Sequence, residues 1–541
     1  MQRKRMSRLP VFLIAVLAGA VTLVTVTALA QFPDKTRNPN AANEGINKSL
    51  TQQIGAGRAN VMTPDSSAFI IARDPFRAVR RGRQLFQRKF LRGEGLGPIT
   101  GEGDGKTDIQ VDLIIGAGLA DSCAACHGLP RGAAGFGGDV VTRPDSRNAP
   151  HLFGLGLKEM LADEITAELR EIRDDALNEA RFRRRNVTKT LRTSFGKGNI
   201  RYGEITARPN GTFDTSRVEG VDPDLRVRPF FLHGDTMSIR EFLVGAFNAE
   251  MGLEANDPDL RNAERFGGRR VVTPAGMVLD GRIDRIEQPP VDDENHDGDN
   301  DGVVNEIPTS LVDFMEFYLL HYFKAGTGEA TSETVDGRNK FILLGCAECH
   351  IPNLVINRDR RVADVETVYN PSEGNPFNRL FATATPFFTA VDDHSGFPTL
   401  KRPNLGSFVV RNIFTDFKRH DIGPNFHERN FDGTMRTHFL TTPLWGVGST
   451  PSYGHDGRSG DLLSVILRHG GEAQQARDNF AHAGSTTRRN VIAFLNTLIL
   501  FSPDDTASNL QPADPNTPGY PQFGHGSIRL TALFNDTNDV E

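Results

Sequence analysis

Cysteine is scarce, with four residues in a chain of 541, and tryptophan occurs once. All four cysteines fall in one repeated five-residue pattern, so none is left over for a structural bridge and a disulfide-built scaffold is excluded. An excess of one charge sign is also missing. A net charge of −6 with 24% charged residues leaves no basic footprint for nucleic acid, and charged runs such as Arg170 to Arg185 read as a solvated helix face. Long apolar runs are absent but for one near the start, where Arg3, Lys4, Arg5 and Arg8 precede Val11 to Ala30, which ends Ala28-Leu29-Ala30 before Gln31. That is the pattern of a secretory signal peptide over residues 1–30, and a run of about twenty apolar residues is also long enough for an uncleaved membrane anchor. Either way the rest of the chain is expected outside the cytoplasmic membrane, in the periplasm.

What is present is Cys123-Ala-Ala-Cys126-His127 and, later, Cys346-Ala-Glu-Cys349-His350. Two thiols two residues apart can each add to a haem vinyl group, and the adjacent histidine can then reach the iron. The alternatives are a zinc site or a redox dithiol, and a histidine directly after the second cysteine in both copies argues against each. Two covalently bound c-type haems are therefore expected, with Cys123, Cys126, Cys346 and Cys349 as attachment points and His127 and His350 as iron ligands.

Each motif follows a similar helix-like segment, Arg81-Gly82-Arg83-Gln84-Leu85-Phe86 and Asp336-Gly337-Arg338-Asn339-Lys340-Phe341. The spacing to the cysteines differs, and tandem duplication is the simplest account. The fold expected is mainly α: two tandem c-type cytochrome domains with long loops. The divisions are a leader at 1–30, an N-terminal extension at 31–75, a first haem domain at 76–290, an acidic loop at 291–308, a second haem domain at 309–501 and an irregular tail at 502–541. Leu311, Phe314, Met315, Tyr318, Leu319 and Tyr322 recur at threes and fours, which predicts a helix over Ile307 to Phe323, and Val491 to Leu500 reads the same way. Asn199 to Asp224 and Val368 to Pro403 lack such periodicity and read as loops around the haems.

Between the units the chain runs Asp293-Glu-Asn295-His-Asp297-Gly298-Asp299-Asn-Asp301-Gly302-Val-Val-Asn305-Glu306. Alternating oxygen donors punctuated by glycines suit a hard cation that takes six to eight oxygens. Counted from Asn295, the loop pattern of calcium-binding helix-loop-helix units assigns Asn295, Asp297, Asp299, Asp301 and Glu306 as ligands, although Asn300 stands where that pattern has glycine. A solvated acidic linker is the alternative.

The order of these motifs resembles the bacterial di-haem cytochrome c peroxidases, and more closely their di-haem oxidoreductase relatives, over about Arg80 to Leu500. Arg147-Asn148-Ala149-Pro150, Asn248-Ala249-Glu250-Met251-Gly252, Thr442-Pro443-Leu444-Trp445-Gly446, His455-Asp456-Gly457-Arg458 and His469-Gly470-Gly471-Glu472 carry the resemblance. It implies an enzyme that reduces hydrogen peroxide, with the first haem on His127 as the peroxidatic centre and Glu250 above its open face. A carboxylate there can take a proton from one peroxide oxygen and return it to the other. The second haem, on His350, would be the electron-entry centre. Its sixth ligand would be Met435 or His438, with His420 a further candidate, and a small cytochrome or cupredoxin would be the electron donor. The tryptophan those peroxidases place between the haems has no counterpart at Arg228 to Asp235. The same scaffold could instead serve as a plain electron carrier, or oxidise a protein or oxygenate an organic substrate. A homodimer is compatible with all of these.

Overall fold

The computed structural model describes residues 49–97, 120–129, 134–140, 147–264, 268–321, 325–369, 380–386, 389–391, 400–402, 406–430 and 433–500. The expected leader and the whole C-terminal tail lie outside them. Helix starts follow the local chemistry. A Ser49 capping box opens α1 (Leu50–Ile54), Ser66 caps α2 (Ser67–Arg73), and Asp74 before Pro75 opens α3 (Pro75–Gln87), each side-chain oxygen taking a backbone N–H that the first turn leaves unpaired. Next come α4 (Cys123–His127), the long α5 (Leu155–Arg183), α6 (Ile239–Ala246), α7 (Pro258–Ala263), α8 (Thr309–His321), α9 (Ser332–Leu343), α10 (Leu462–Arg468), α11 (Gln474–His482) and α12 (Ser485–Leu495).

Helix is only 39% of the structure, strand is 15%, and the expected mainly-α pair of tandem cytochrome domains does not hold. The strands form small sheets among the described residues, one of three strands and the rest of two. Part of the Asn199–Asp224 stretch, expected as loop, is strand. There β2 (Arg201–Ala207) pairs with β1 (Val187–Arg192) and with β3 (Phe213–Asp214). In the other expected loop, Ala363–Tyr369 pairs with Leu380–Pro386. Short hairpins hold too few residues for their alternation to stand out from loop sequence, and pairing across the chain decides them.

The cores also cross the proposed halves. One apolar cluster joins α2, α3 and α6 to α8 and to Leu500; a second joins Leu157, Leu161 and Ile165 of α5 to Leu354, Ile356, Ile413 and Trp445. Helix α8 is buried on every side from Ser310 to His321, not along one face, because it runs through a core and not across a surface. Within 485–500 the helix ends at Leu495 and Leu498–Ile499 continues as strand against Gly326–Thr327. The run from Arg170 onward is mostly solvated at its C-terminal end, where Arg181 and Arg183 are exposed. Among the described residues no helix is long and apolar enough to cross a membrane.

What does repeat is a helix crossing. Gly82 of α3 lies against the backbone of Phe314 in α8, and Gly337 of α9 against that of Asn490 in α12; an added Cβ would fall 2.2 Å from Phe314 O and 1.9 Å from Asn490 O. Four residues on, Phe86 and Phe341 are both buried. The glycine lets two backbones approach, and the phenylalanine fills the space beside each haem motif. Gly337→Ala is therefore expected to destabilise the protein by about 1–3 kcal/mol, the usual range for forced overpacking, and thermal denaturation against wild type measures it.

Candidate functional site

Ser122 caps α4, its Oγ accepting the Ala125 N–H at 3.1 Å, and this single turn presents Cys123, Cys126 and His127 together. Burial pushes the Cys123 thiol up to about 12 and raises that of Cys126, with Glu250 nearby adding to the effect. Thiols held in the neutral form lack the lowered pKa of a reactive redox dithiol. The His127 ring donates from Nδ1 to the carbonyl of Pro150 at 2.7 Å, and burial lowers its pKa to about 4. The imidazole is thus neutral, and its Nε2 is the nitrogen available to a metal, as in other sites where a carbonyl fixes the tautomer of a ligating histidine.

The motif opens on a cavity of about 1450 Å³, counting the open solvent at its mouth. Phe86, Phe230, Phe231, Phe242, Leu319 and Trp445 supply its apolar walls, and Arg147 and Lys158 its cationic groups. Burial lowers the Lys158 pKa to about 8. A broad apolar space, two thiols, a histidine with its Nε2 available and two cations to meet carboxylates fit a haem with its propionates.

Glu250 lines the same cavity. It sits on a π-helical turn, Phe247–Met251, that follows α6 and closes on Gly252 at φ 64°. Such turns displace side chains from the α-helical register and often mark functional sites. Ile239, Leu243, Phe247 and Met251 are buried beside it.

The second motif begins in a 3₁₀ turn, Cys346–Glu348. Burial raises the Cys346 thiol to about 11. His350 donates from Nδ1 to the carbonyl of Phe414 at 3.1 Å, so both motif histidines are oriented in the same way. Phe414 takes φ 54°, a conformation uncommon for a bulky side chain. Burial, with nearby His469 contributing, lowers the His350 pKa to about 4.

His469 had no ligand role in the sequence reading, and the structure places it near His350. It donates from Nδ1 to Val465 O at 2.7 Å, packs edge-on to Phe426 with ring centroids 5.3 Å apart, and has its pKa lowered by burial. Its signal in the sequence was present, a histidine closing the helix that follows His455-Asp456-Gly457-Arg458. Met435 and His438 are both exposed, the first on a short strand paired with Glu428–Arg429, the second with Nδ1 at 2.9 Å from Thr437 Oγ1. In His420, Nδ1 faces Glu472 at 2.7 Å and Nε2 faces Asp416 at 2.9 Å. Burial would lower its pKa, but the carboxylate partner Asp416 and the Cys349 sulfur raise it to about 11. A charged imidazole with both nitrogens engaged has none to offer iron.

Two features join the motif regions. Pro150 O accepts from His127, His151 Nε2 donates to Trp445 O at 2.8 Å, Leu444 N–H donates to Ile413 O at 3.0 Å, and Phe414 O accepts from His350. Three short peptide segments thus connect the two motif histidines, and Trp445 reaches the first cavity although it lies far along the chain. The second feature is Arg147, which pairs with Glu428 at 2.6 Å, while His233 Nε2 lies 3.3 Å from the other Glu428 oxygen. Burial would raise the Glu428 pKa, but the His233 hydrogen bond and the Arg147 charge overcome it and bring it from 4.5 down to about 2. A lowered carboxylate pKa stabilises the fold above the unfolded value and loses that effect as pH falls through the folded one. The stability advantage of wild type over Glu428→Gln should accordingly be full above pH 4.5 and shrink towards pH 2, read from denaturation curves across that range.

Of the acidic-loop residues, Asp297, Asp299 and Asp301 come together, and Asp299 also meets Glu306 and Glu254. Asn295 is exposed and donates its N–H to Asp293 at 2.7 Å. Asn300 itself adopts φ 59°, a conformation asparagine tolerates, so the missing glycine does not block the turn. Glu254 was not found from sequence because it lies outside the loop.

Hydrazine synthase from Kuenenia stuttgartiensis is similar at 12% identity over 82% of this chain and 95% of that one, with a TM-score of 0.33, too low to carry an argument about fold. No curated protein matches. Residues 378–498 match the family model described as "Di-haem oxidoreductase, putative peroxidase", a stretch that contains Trp445, the His455 segment and His469. Through those residues the chain resembles the di-haem oxidoreductases.

Proposed function

We propose that the protein is a periplasmic di-haem c-type peroxidase that reduces hydrogen peroxide to water with two electrons from a small redox protein, a cytochrome c or a cupredoxin. The observation that carries this reading is Glu250 in one cavity with Cys123, Cys126 and His127. Haem bound there supplies an iron that can pass electrons to peroxide. Cys123 and Cys126 would hold it covalently, Pro150 keeps His127 turned with Nε2 outward, and Arg147 and Lys158 are placed to meet the haem carboxylates. Glu250 takes a proton from one peroxide oxygen and returns it to the other, so that two protons and two electrons convert each peroxide to two waters.

Cys346, Cys349 and His350 would hold the second haem. For its sixth ligand we favour His469, a half-buried histidine near His350, over the exposed Met435 and His438. Histidine–methionine ligation raises the potential of a c-type haem, so His469→Met is expected to raise that of the second centre in a redox titration. An unchanged potential would return the choice to Met435 or His438.

A carrier with two six-coordinate irons has no use for Glu250 in the cavity, which is why the peroxidase is preferred. The test is peroxide consumption by the half-reduced protein supplied with a reduced small cytochrome. Absence of turnover would favour electron transfer, or oxidation of a protein or organic substrate.

A further inference from the structure

Asp416, His420 and Glu472 form an ion triplet beside the second cysteine motif, and the peroxidase reading gives it no task. His420 lies on a short strand, Arg419–Asp421, paired with His438–Leu440. Its Nε2 is 2.9 Å from Asp416 Oδ2 and its Nδ1 is 2.7 Å from Glu472 Oε2. An ionised carboxylate only accepts, so a ring that serves two of them donates from both nitrogens and is the imidazolium. His420 and Asp416 are 6% and 1% exposed, whereas Glu472 is open to solvent. One His420 nitrogen, one Asp416 oxygen and the Cys349 sulfur lie within 4.8 Å of one another.

Backbone contacts hold the triplet in place. Phe414, whose carbonyl accepts from His350, is two residues from Asp416, and Thr415 N–H donates to Ile351 O at 3.1 Å. Asp416 Oδ1 accepts the Lys418 N–H at 2.9 Å, and Tyr202 Oη donates to Asp416 O at 2.6 Å. On the other side Asp421 N–H donates to Glu472 Oε1 at 3.0 Å, and Gly470 N–H to Ile422 O at 2.8 Å. Charges fixed in this way cannot swing out to water. They also act on the His350 ring in opposite senses, Asp416 favouring its protonated form and His420 its neutral one.

We propose that Asp416 and His420 set the reduction potential of the second haem, the imidazolium raising it and the buried carboxylate lowering it. Reduction adds one electron to the iron, so a fixed positive charge nearby favours the ferrous state and a fixed negative charge the ferric one. Buried charges keep this influence because salt screens them little, whereas the exposed Glu472 acts weakly and less so as salt rises. Neither His420 nor Asp416 touches substrate; both act through the haem. The proposal rests on the reading of Cys346, Cys349 and His350 as a haem site, and not on peroxide turnover.

The experiment is a spectroelectrochemical titration of the full-length protein with its haems, comparing wild type with His420→Gln, Asp416→Asn and Glu472→Gln. Haem content per chain is measured first, and the Cys346→Ala, Cys349→Ala double variant identifies the wave of the second haem. His420→Gln should lower the midpoint potential of that wave and Asp416→Asn should raise it. Each should change the ferrous-to-ferric ratio at fixed potential by about tenfold, or about 59 mV for a one-electron couple. Glu472→Gln should raise it by less, and its shift should shrink at high salt. Loosened packing would move both buried variants in one direction, so opposite shifts are the mark of charge. Unchanged potentials, or shifts of one sign in His420→Gln and Asp416→Asn, overturn the proposal. Should either buried variant not fold, Glu472→Gln at low salt decides, a rise supporting the proposal and no change overturning it. A chain without haem on the second motif, visible in the haem content before any potential is read, defeats the haem reading and the proposal together.

Discussion

Glu250→Gln is expected to lower peroxide turnover by about 10²–10⁴-fold, the usual contribution of a positioned acid–base group, while both haems stay attached. Glutamine keeps the shape of the side chain, and the cavity walls and the His127–Pro150 hydrogen bond do not depend on the replaced oxygen. What is lost is the capacity to accept and return a proton beside the thiols and histidine that would hold the first haem. Steady-state peroxide consumption with a reduced small cytochrome measures the loss, and the absorption spectrum checks the haems. Turnover equal to wild type would show that the proton passes through another group and would remove the main reason for calling this a peroxidase.

The largest stability effect is expected from Arg240→Met. Arg240 on α6 is fully buried and pairs with Asp257 at 2.6 Å, Glu316 at 2.7 Å and Asp313 at 3.0 Å. Arg58 shares Asp313 at 2.6 Å from the other side. Burial raises the Glu316 pKa to about 7 even though Arg240 pulls it down, so the acids are sensitive to loss of the cation. Removing one partner of a buried ionic group costs about 3–5 kcal/mol because the remaining charge is left without compensation. The variant should unfold at clearly lower denaturant than wild type, and because α6 leads directly into the Phe247–Met251 turn, its haem spectrum should change as well. A stability within about 0.5 kcal/mol of wild type, the size of an ordinary surface change, would mean that the cluster is not held by Arg240.

Both cysteine motifs were plain in the sequence because covalent haem chemistry fixes residue type and spacing together. Glu250 was reached through the resemblance of the segment Asn248-Ala249-Glu250-Met251-Gly252, and it lies in the cavity of the first motif. The glycine and phenylalanine shared by Arg81–Phe86 and Asp336–Phe341 were visible as a local repeat. Their meaning, a close helix crossing, came only from Phe314 and Asn490, residues distant in the chain. The sheets were hidden because strands of two to seven residues pair across loops and leave little periodicity. Lys158, Glu254 and His469 were passed over for a related reason: each acquires its chemical setting from a partner brought close by folding, respectively the haem cavity, Asp299 with Glu306, and His350. Trp445 was placed in the second unit by its position along the chain, yet it forms part of the wall of the first cavity.

The most direct test of the account is the number of haems that remain bound to the chain after full denaturation and extraction of any free haem. The account predicts two, with one lost in the Cys123→Ala, Cys126→Ala double variant and the other in the Cys346→Ala, Cys349→Ala double variant. A chain that keeps one haem or none would contradict it.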